Sequence, residues 1–212
     1  MEKEDLDFTG RWKSRRIAGD RYPPTIYLFR HAQTFFNREH YFTGWKDSRL
    51  TPFGRRQAKK IAKKLFGKGI DVAFQTSLSR SKDTLREVLK RHRECRAVFT
   101  DDRMIERSYG KLQGTSHDRF KRTHSPEDLQ LIRRSYDRPP PGGESIRMVE
   151  RRVLAFLRDL IAYMKKNRVN VAISAHGNSM RPFRRYFEKL SIAQMMSLEN
   201  PWDDYFEYRI KP

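Results

Sequence analysis

The chain predicts an α/β fold, and the order of its segments carries that prediction. Short apolar runs at 25–29, 71–74, 97–99 and 169–174 alternate with helix-like stretches at 52–66, 79–92, 144–166 and about 178–189. Such alternation is the pattern of βαβ units. The 212 residues suffice for one sizeable domain with a full core. Two histidines, His31 and His176, each lie just after one of the apolar runs. In a parallel α/β sheet, residues past the carboxyl ends of strands line the binding crevice. Both imidazoles can therefore meet in one pocket across about 145 residues of sequence.

Residues 1–24 are polar, mixed in charge and end in Tyr22-Pro23-Pro24, so they read as an N-terminal extension that Phe8 and Trp12 pin to the body. The single catalytic domain is expected to span 25–212. After the first strand a loop runs through Gly44-Trp45. Thr51 as N-cap and Pro52 at the first helical position start the helix that runs to about Phe66 and ends near Gly67 and Gly69. Residues 106–143 are rich in Gly, Pro and Arg without clean periodicity, the character of a lid or binding loop. The helix over 144–166 has one apolar face of Ile146, Val149, Val153, Phe156, Leu157, Leu160 and Met164. A last strand is expected over 205–210.

Net charge is +20, from 46 Lys and Arg against 26 Asp and Glu, with a pI near 10.4. This field favours anionic partners, but the cations are spread along the whole chain. Lys59, Lys60, Lys63 and Lys64 read as a solvated helix face, because Ala58, Ile61, Ala62 and Leu65 face elsewhere. No zinc-finger, RNA-recognition or basic-heptad signature accompanies the charge, so nucleic acid is not the expected partner. No apolar stretch approaches the ~18 residues of a membrane span. The first seven residues lack the features of a secretory signal. Cys95 alone permits no internal disulfide. Cytoplasmic localisation is the resulting expectation.

Arg30-His31 closes a strand, with Thr34 and Asn37 shortly after it and Thr43-Gly44 adding a hydroxyl and an unhindered N–H. Arginine forks bind phosphate oxygens in bidentate fashion, and small polar residues complete such a cradle. There is no Gly-rich P-loop and no tight His/Asp/Glu spacing for a metal. A histidine nucleophile clamped by arginines, with no metal, is the economical account.

These motifs resemble the histidine phosphatase superfamily, and within it the cofactor-dependent phosphoglycerate mutases. Arg30-His31-Ala32-Gln33-Thr34 with Asn37 is similar to the Arg-His-Gly-Glu-Ser/Thr signature. Phe42-Thr43-Gly44-Trp45, Leu50-Thr51 with Gly54, and Ser79-Arg80 follow in the family's order. So do Glu106-Arg107-Ser108-Tyr109-Gly110, Leu112-Gln113-Gly114, Arg133-Arg134-Ser135-Tyr136 and the run from Pro139 to Ser145. Ala175-His176-Gly177-Asn178-Ser179 resembles the second histidine motif, and the likeness covers about residues 25 to 200.

The resemblance implies a mainly parallel sheet with helices on both faces, in three layers. It implies that His31 is the nucleophile that becomes phosphohistidine, that Arg30, Arg80 and His176 hold phosphoryl oxygens, and that Glu106 exchanges a proton with the substrate oxygen. Thr34, Asn37, Gly177 and Asn178 would assist, while Thr43, Gly44, Tyr109, Arg133 and Arg134 would bind the substrate's carboxylate and remaining oxygens. The implied activity interconverts 3-phosphoglycerate and 2-phosphoglycerate in glycolysis and gluconeogenesis, primed by 2,3-bisphosphoglycerate, with a homodimer as a compatible assembly. A phosphomonoesterase of the same superfamily is the alternative, and a basic nucleic-acid-binding protein on an inactive version of the fold is a third reading. Three features depart from the mutases. Ala32-Gln33 replaces Gly-Glu, Asn200-Pro201-Trp202 departs from the usual tail, and His117 stands where they carry lysine. Histidine titrates near 6.5, so partitioning between mutase and phosphatase would change between about pH 6 and 8 if His117 holds the intermediate.

Overall fold

The computed structural model describes residues 5–6, 11–15 and 17–211. Among them run strands β1 (Asp5–Leu6), β2 (Thr25–Arg30), β3 (Val72–Gln75), β4 (Ala97–Thr100), β5 (Val171–Ala175) and β6 (Tyr205–Arg209). They form one sheet in the order β1-β4-β3-β5-β2-β6. All neighbours are parallel except β6, which runs antiparallel to β2. The helices are α1 (Phe35–Arg38), α2 (Pro52–Lys64), α3 (Ser79–Leu89), α4 (His117–Lys121), α5 (Pro126–Arg134), α6 (Ile146–Asn167), α7 (Gly177–Glu188) and α8 (Ile192–Ser197).

The central strands are buried on both faces, which is why they read as continuous apolar runs rather than alternating ones. Ile26, Leu28, Val72, Phe74, Val171 and Ile173 pack with Val153, Phe156 and Leu160 of α6 and Phe183 of α7. Their chain neighbours Tyr27, Phe29, Ala73 and Ala172 point the other way, against Ile61 and Ala62 of α2 and Leu85 and Val88 of α3. The result is three layers, helices on both faces of one sheet. Thr51 caps α2 by accepting from Gly54 N at 2.9 Å, and Pro52 follows. The four lysines Lys59, Lys60, Lys63 and Lys64 lie on its exposed face, two of them paired with Asp203 and Asp204.

The segment before Thr25 is more closely integrated than an appended arm. Asp5–Leu6 pairs with Val98 and Phe99 of β4. Trp12 is buried in the main core, its ring 4.9 Å from that of Phe74, and its Nε1 donates to Asp101 Oδ2 at 3.1 Å. Phe8 lies outside the described residues. Residues 106–143, expected as an irregular loop, contain α4 and α5. Phe42, Phe120 and Leu129 form a small separate core there, with Tyr109, Leu112 and Ile132 against it. Each helix buries too few side chains to print a 3.6-residue pattern, but Ser125-Pro126 with Asp128 is a capping-box start readable in the sequence.

Candidate active site

The register of two strands assembles the centre. Arg30 of β2 lies opposite Ala175 of β5, and His31 N donates to Ala175 O at 2.9 Å. The next residue on each strand is therefore a histidine at the same sheet edge, and the two rings have centroids 5.0 Å apart. His31 Nδ1 lies 2.8 Å from the Ala32 carbonyl, an acceptor only, so Nδ1 carries the proton and Nε2 keeps its lone pair. Burial, then the charges of Arg80 and Arg30, hold the His31 pKa well below its ordinary value. Burial, then Arg80, does the same to His176, whose Nε2 lies 2.8 Å from Thr76 Oγ1. Both imidazoles are neutral near pH 7.

Two buried guanidinium groups flank them. Arg80 is fully buried at the start of α3 and donates to Gly44 O at 2.7 Å and Lys46 O at 3.0 Å. Gly44 adopts φ +51°, the left-handed region that favours glycine, and a Cβ there would come within 2.1 Å of Gln113 Oε1, so a larger residue would displace the Gln113 side chain. Arg30 stacks on Trp202 at 4.6 Å and donates to Asn200 O at 3.2 Å. Desolvation lowers both arginines to about 10, leaving them cationic.

Glu106 is buried beside them. Its Oε1 accepts from Arg107 N at 2.7 Å and from Asn178 N at 3.2 Å. Its backbone carbonyl accepts from Trp45 Nε1 at 2.7 Å and Arg152 Nη2 at 3.1 Å. The carboxyl is thereby fixed from both ends, on a loop rather than a regular element.

A cavity of about 330 Å³ opens onto this centre. Of the residues singled out from sequence, it is lined by Arg30, His31, Asn37, Thr43, Gly44, Arg80, Glu106, Tyr109, His117, Arg133, Arg134, Gly177 and Asn178. His176 sits fully buried behind His31. Thr34 does not line the cavity: it is buried and caps α1, its Oγ1 accepting from Asn37 N. His117 also behaves differently from its sequence expectation. Burial, then the charge of Arg133, lowers it to about 4, so it does not titrate between pH 6 and 8.

Sequence reasoning missed Arg181, Glu199 and the wall role of Asn200 and Trp202. Arg181 follows Asn178 by three positions on α7, so it shares that residue's helix face, which is a readable signal. The tail residues carry no such periodic clue.

The nearest ligand atoms of His31, Glu106 and His176 all lie within 4.8 Å of one another, a spacing that could hold a metal ion. The guanidinium charges bearing on both histidines make the centre cationic, which favours an oxyanion over a cation. Arg30 Nε and Arg80 Nε are buried with no hydrogen-bond partner. Two guanidinium edges left without acceptors in a buried site fit a phosphoryl group.

Residues 26–204 match the histidine phosphatase superfamily (branch 1). The chain belongs to this superfamily. It is 36% identical over 179 residues to a 2,3-bisphosphoglycerate-dependent phosphoglycerate mutase of Parvibaculum lavamentivorans, covering 83% of this chain and 85% of that one. It is 31% identical over 198 residues to the protein of the same name from Pseudoalteromonas atlantica, covering 81% and 87%. Among solved structures, a mycobacterial glucosyl-3-phosphoglycerate phosphatase shares the fold with a TM-score of 0.77 at 24% identity, covering 87% of this chain and 90% of that one. The α-ribazole phosphatase of Shigella flexneri does so with a TM-score of 0.75 at 19% identity, covering 86% and 89%. This histidine phosphatase superfamily protein is an enzyme, a mutase or a phosphatase. Among the described residues no helix is long and apolar enough to cross a membrane.

Proposed function

We propose that the protein is a 2,3-bisphosphoglycerate-dependent phosphoglycerate mutase, interconverting 3-phosphoglycerate and 2-phosphoglycerate. One observation carries the reading: a single cavity is walled by two groups of cations. Arg30 and Arg80 stand beside His31, and Arg133, Arg134 and Arg181 supply further guanidinium groups. A substrate with a phosphate and a carboxylate uses both groups, and the names of the curated relatives support the choice.

In this reading the His31 Nε2 lone pair attacks phosphorus while the phosphorus–oxygen bond of the donor breaks. Negative charge spreads over the equatorial oxygens, where Arg30, Arg80 and His176 act. Glu106 gives a proton to the departing oxygen. In the return step it takes a proton from the substrate's neighbouring hydroxyl, whose oxygen attacks phosphorus as the bond to His31 breaks. Asn37, Thr43, Gly44, Tyr109, Gly177 and Asn178 orient the substrate, and Arg133 and Arg134 hold its carboxylate. When bound, 2,3-bisphosphoglycerate supplies the phosphoryl group that primes His31, and Arg133 and Arg134 would hold it too. The setting of this reading is the cytoplasm, where glycolysis and gluconeogenesis run.

A phosphomonoesterase is the second reading, with water as the acceptor in the return step. It is favoured by the uncharged His117 in place of a lysine. The test is 3-phosphoglycerate with and without catalytic 2,3-bisphosphoglycerate, following isomerisation and phosphate release together. Cofactor-dependent isomerisation outrunning phosphate release is the expected result. Release without isomerisation would refute the mutase.

A further inference from the structure

The cavity contains an acidic side chain that neither step of the proposed reaction uses. Glu199 Oε1 accepts from Arg134 Nη2 at 2.6 Å, and both residues line the cavity. Its charge also bears on Arg30 and Arg181. Burial acts to raise the Glu199 carboxyl, but the Arg134 hydrogen bond and the charges of Arg134, Arg181 and Arg30 outweigh it and bring it below the ordinary range. It is therefore a carboxylate wherever the enzyme works near neutral pH.

Its side chain is held by fewer bonds than the backbone around it. Arg181 holds the Met196 and Leu198 carbonyls at 2.8 and 2.9 Å. Arg184 holds the Glu199 carbonyl at 3.1 Å, and Arg30 holds that of Asn200 at 3.2 Å. Asn200 Nδ2 donates to Gly177 O at 3.0 Å. The main chain is thus clamped, while the Glu199 side chain is 76% exposed against 32% for Arg134. A carboxylate on a fixed tether, bonded to one guanidinium and otherwise facing solvent, is easily exchanged for another anion. Glu106, the other acid of the cavity, is buried and held by two backbone N–H groups.

We propose that Glu199 is a specificity-determining residue: its carboxylate holds Arg134, and the second anionic group of a substrate must displace it. A ligand with only a phosphate reaches Arg30 and Arg80 and leaves the Glu199–Arg134 pair intact. A ligand with a phosphate and a carboxylate binds fully only after breaking that pair. Glu199 thus sets a threshold against bifunctional anions that reach this wall weakly.

The inference rests on the reading of this cavity as a phosphoryl-transfer site, but its test needs no turnover. Calorimetric titration of wild type and Glu199→Gln would use two probes, inorganic phosphate and 3-phosphoglycerate. Glu199→Gln is expected to tighten 3-phosphoglycerate by about two- to fivefold, the range of an exposed ion pair. Phosphate should change by less than about 1.5-fold, and the gain for 3-phosphoglycerate should vanish in Glu199→Gln/Arg134→Gln. Equal tightening of both probes would reduce Glu199 to a general contribution to the field and overturn the proposal. Unchanged or weaker 3-phosphoglycerate binding would also overturn it. Glu199→Ala repeats the measurement with the side chain shortened, and thermal melts verify that each variant is folded. Selective tightening in a protein that isomerises no phosphoglycerate would refute the mutase reading and leave this inference standing.

Discussion

Replacing Glu106 by glutamine separates proton transfer from every other role of that side chain. The glutamine carbonyl can keep the Oε1 position and both of its donors, Arg107 N and Asn178 N. The backbone anchors from Trp45 and Arg152 reach the Glu106 carbonyl and are untouched. Glu106 also supports the charge of Arg30 and Arg80, but both titrate at about 10 and stay protonated when that support is removed. What disappears is the exchangeable proton. General acid catalysis is worth roughly 10²–10⁴ in rate, or about 2.7–5.4 kcal/mol of barrier. Turnover of 3-phosphoglycerate should fall by that factor, because its departing alkoxide needs the proton. With p-nitrophenyl phosphate, whose leaving group departs as an anion, the loss should stay below about tenfold. The assay is steady-state kinetics on both substrates with matched thermal melts. Equal losses on the two substrates would remove Glu106 from the acid role.

Three further outcomes are expected. Incubation with 2,3-bisphosphoglycerate should leave an acid-labile phosphate on the wild-type protein and none on His31→Ala; label surviving the substitution would mean that another residue carries it. His117, lowered to about 4 by burial and then Arg133, is neutral across about pH 6–8. The ratio of isomerisation to phosphate release should therefore be flat over that range, and His117→Lys should raise it throughout; a wild-type ratio that falls with rising pH would show that an imidazolium acts there. His31 and His176 have folded pKa values depressed well below 6.5, so the unfolded chain binds protons that the fold excludes. Their contribution is complete above about pH 6.5 and is lost as pH falls toward the folded values, by up to about 1.4 kcal/mol per pH unit for each histidine. Urea unfolding between pH 7 and 5 checks this: His31→Asn and His176→Asn should each flatten the slope, and a wild-type stability independent of pH would contradict it.

The layer of helices on each sheet face came from the family resemblance, while the α/β class and the centres of the four main strands were legible in the chain itself. They depend on local patterns: buried parallel strands print as apolar runs, and α6 prints an apolar stripe at helical spacing. The site histidines were legible for a related reason, since strand ends in such sheets face the crevice. Pairing β2 with β5 in the register Arg30 to Ala175 was not legible, and that register alone brings His31 and His176 to 5.0 Å. Thr34 and Asn37 show the limit of residue type as a guide, because both are small and polar and close in sequence to His31. Only Asn37 lines the cavity, while Thr34 is consumed as a helix cap. His117 is ordinary as a sequence letter; burial and Arg133, neither a neighbour in the chain, remove its charge at neutral pH. The tail wall of Glu199, Asn200 and Trp202 reaches the cavity through contacts with Arg134, Gly177 and Arg30. Periodicity reports which face of an element is buried. Side-chain and backbone bonds between residues far apart in the chain decide what a buried residue does, and only the tertiary structure brings those partners together.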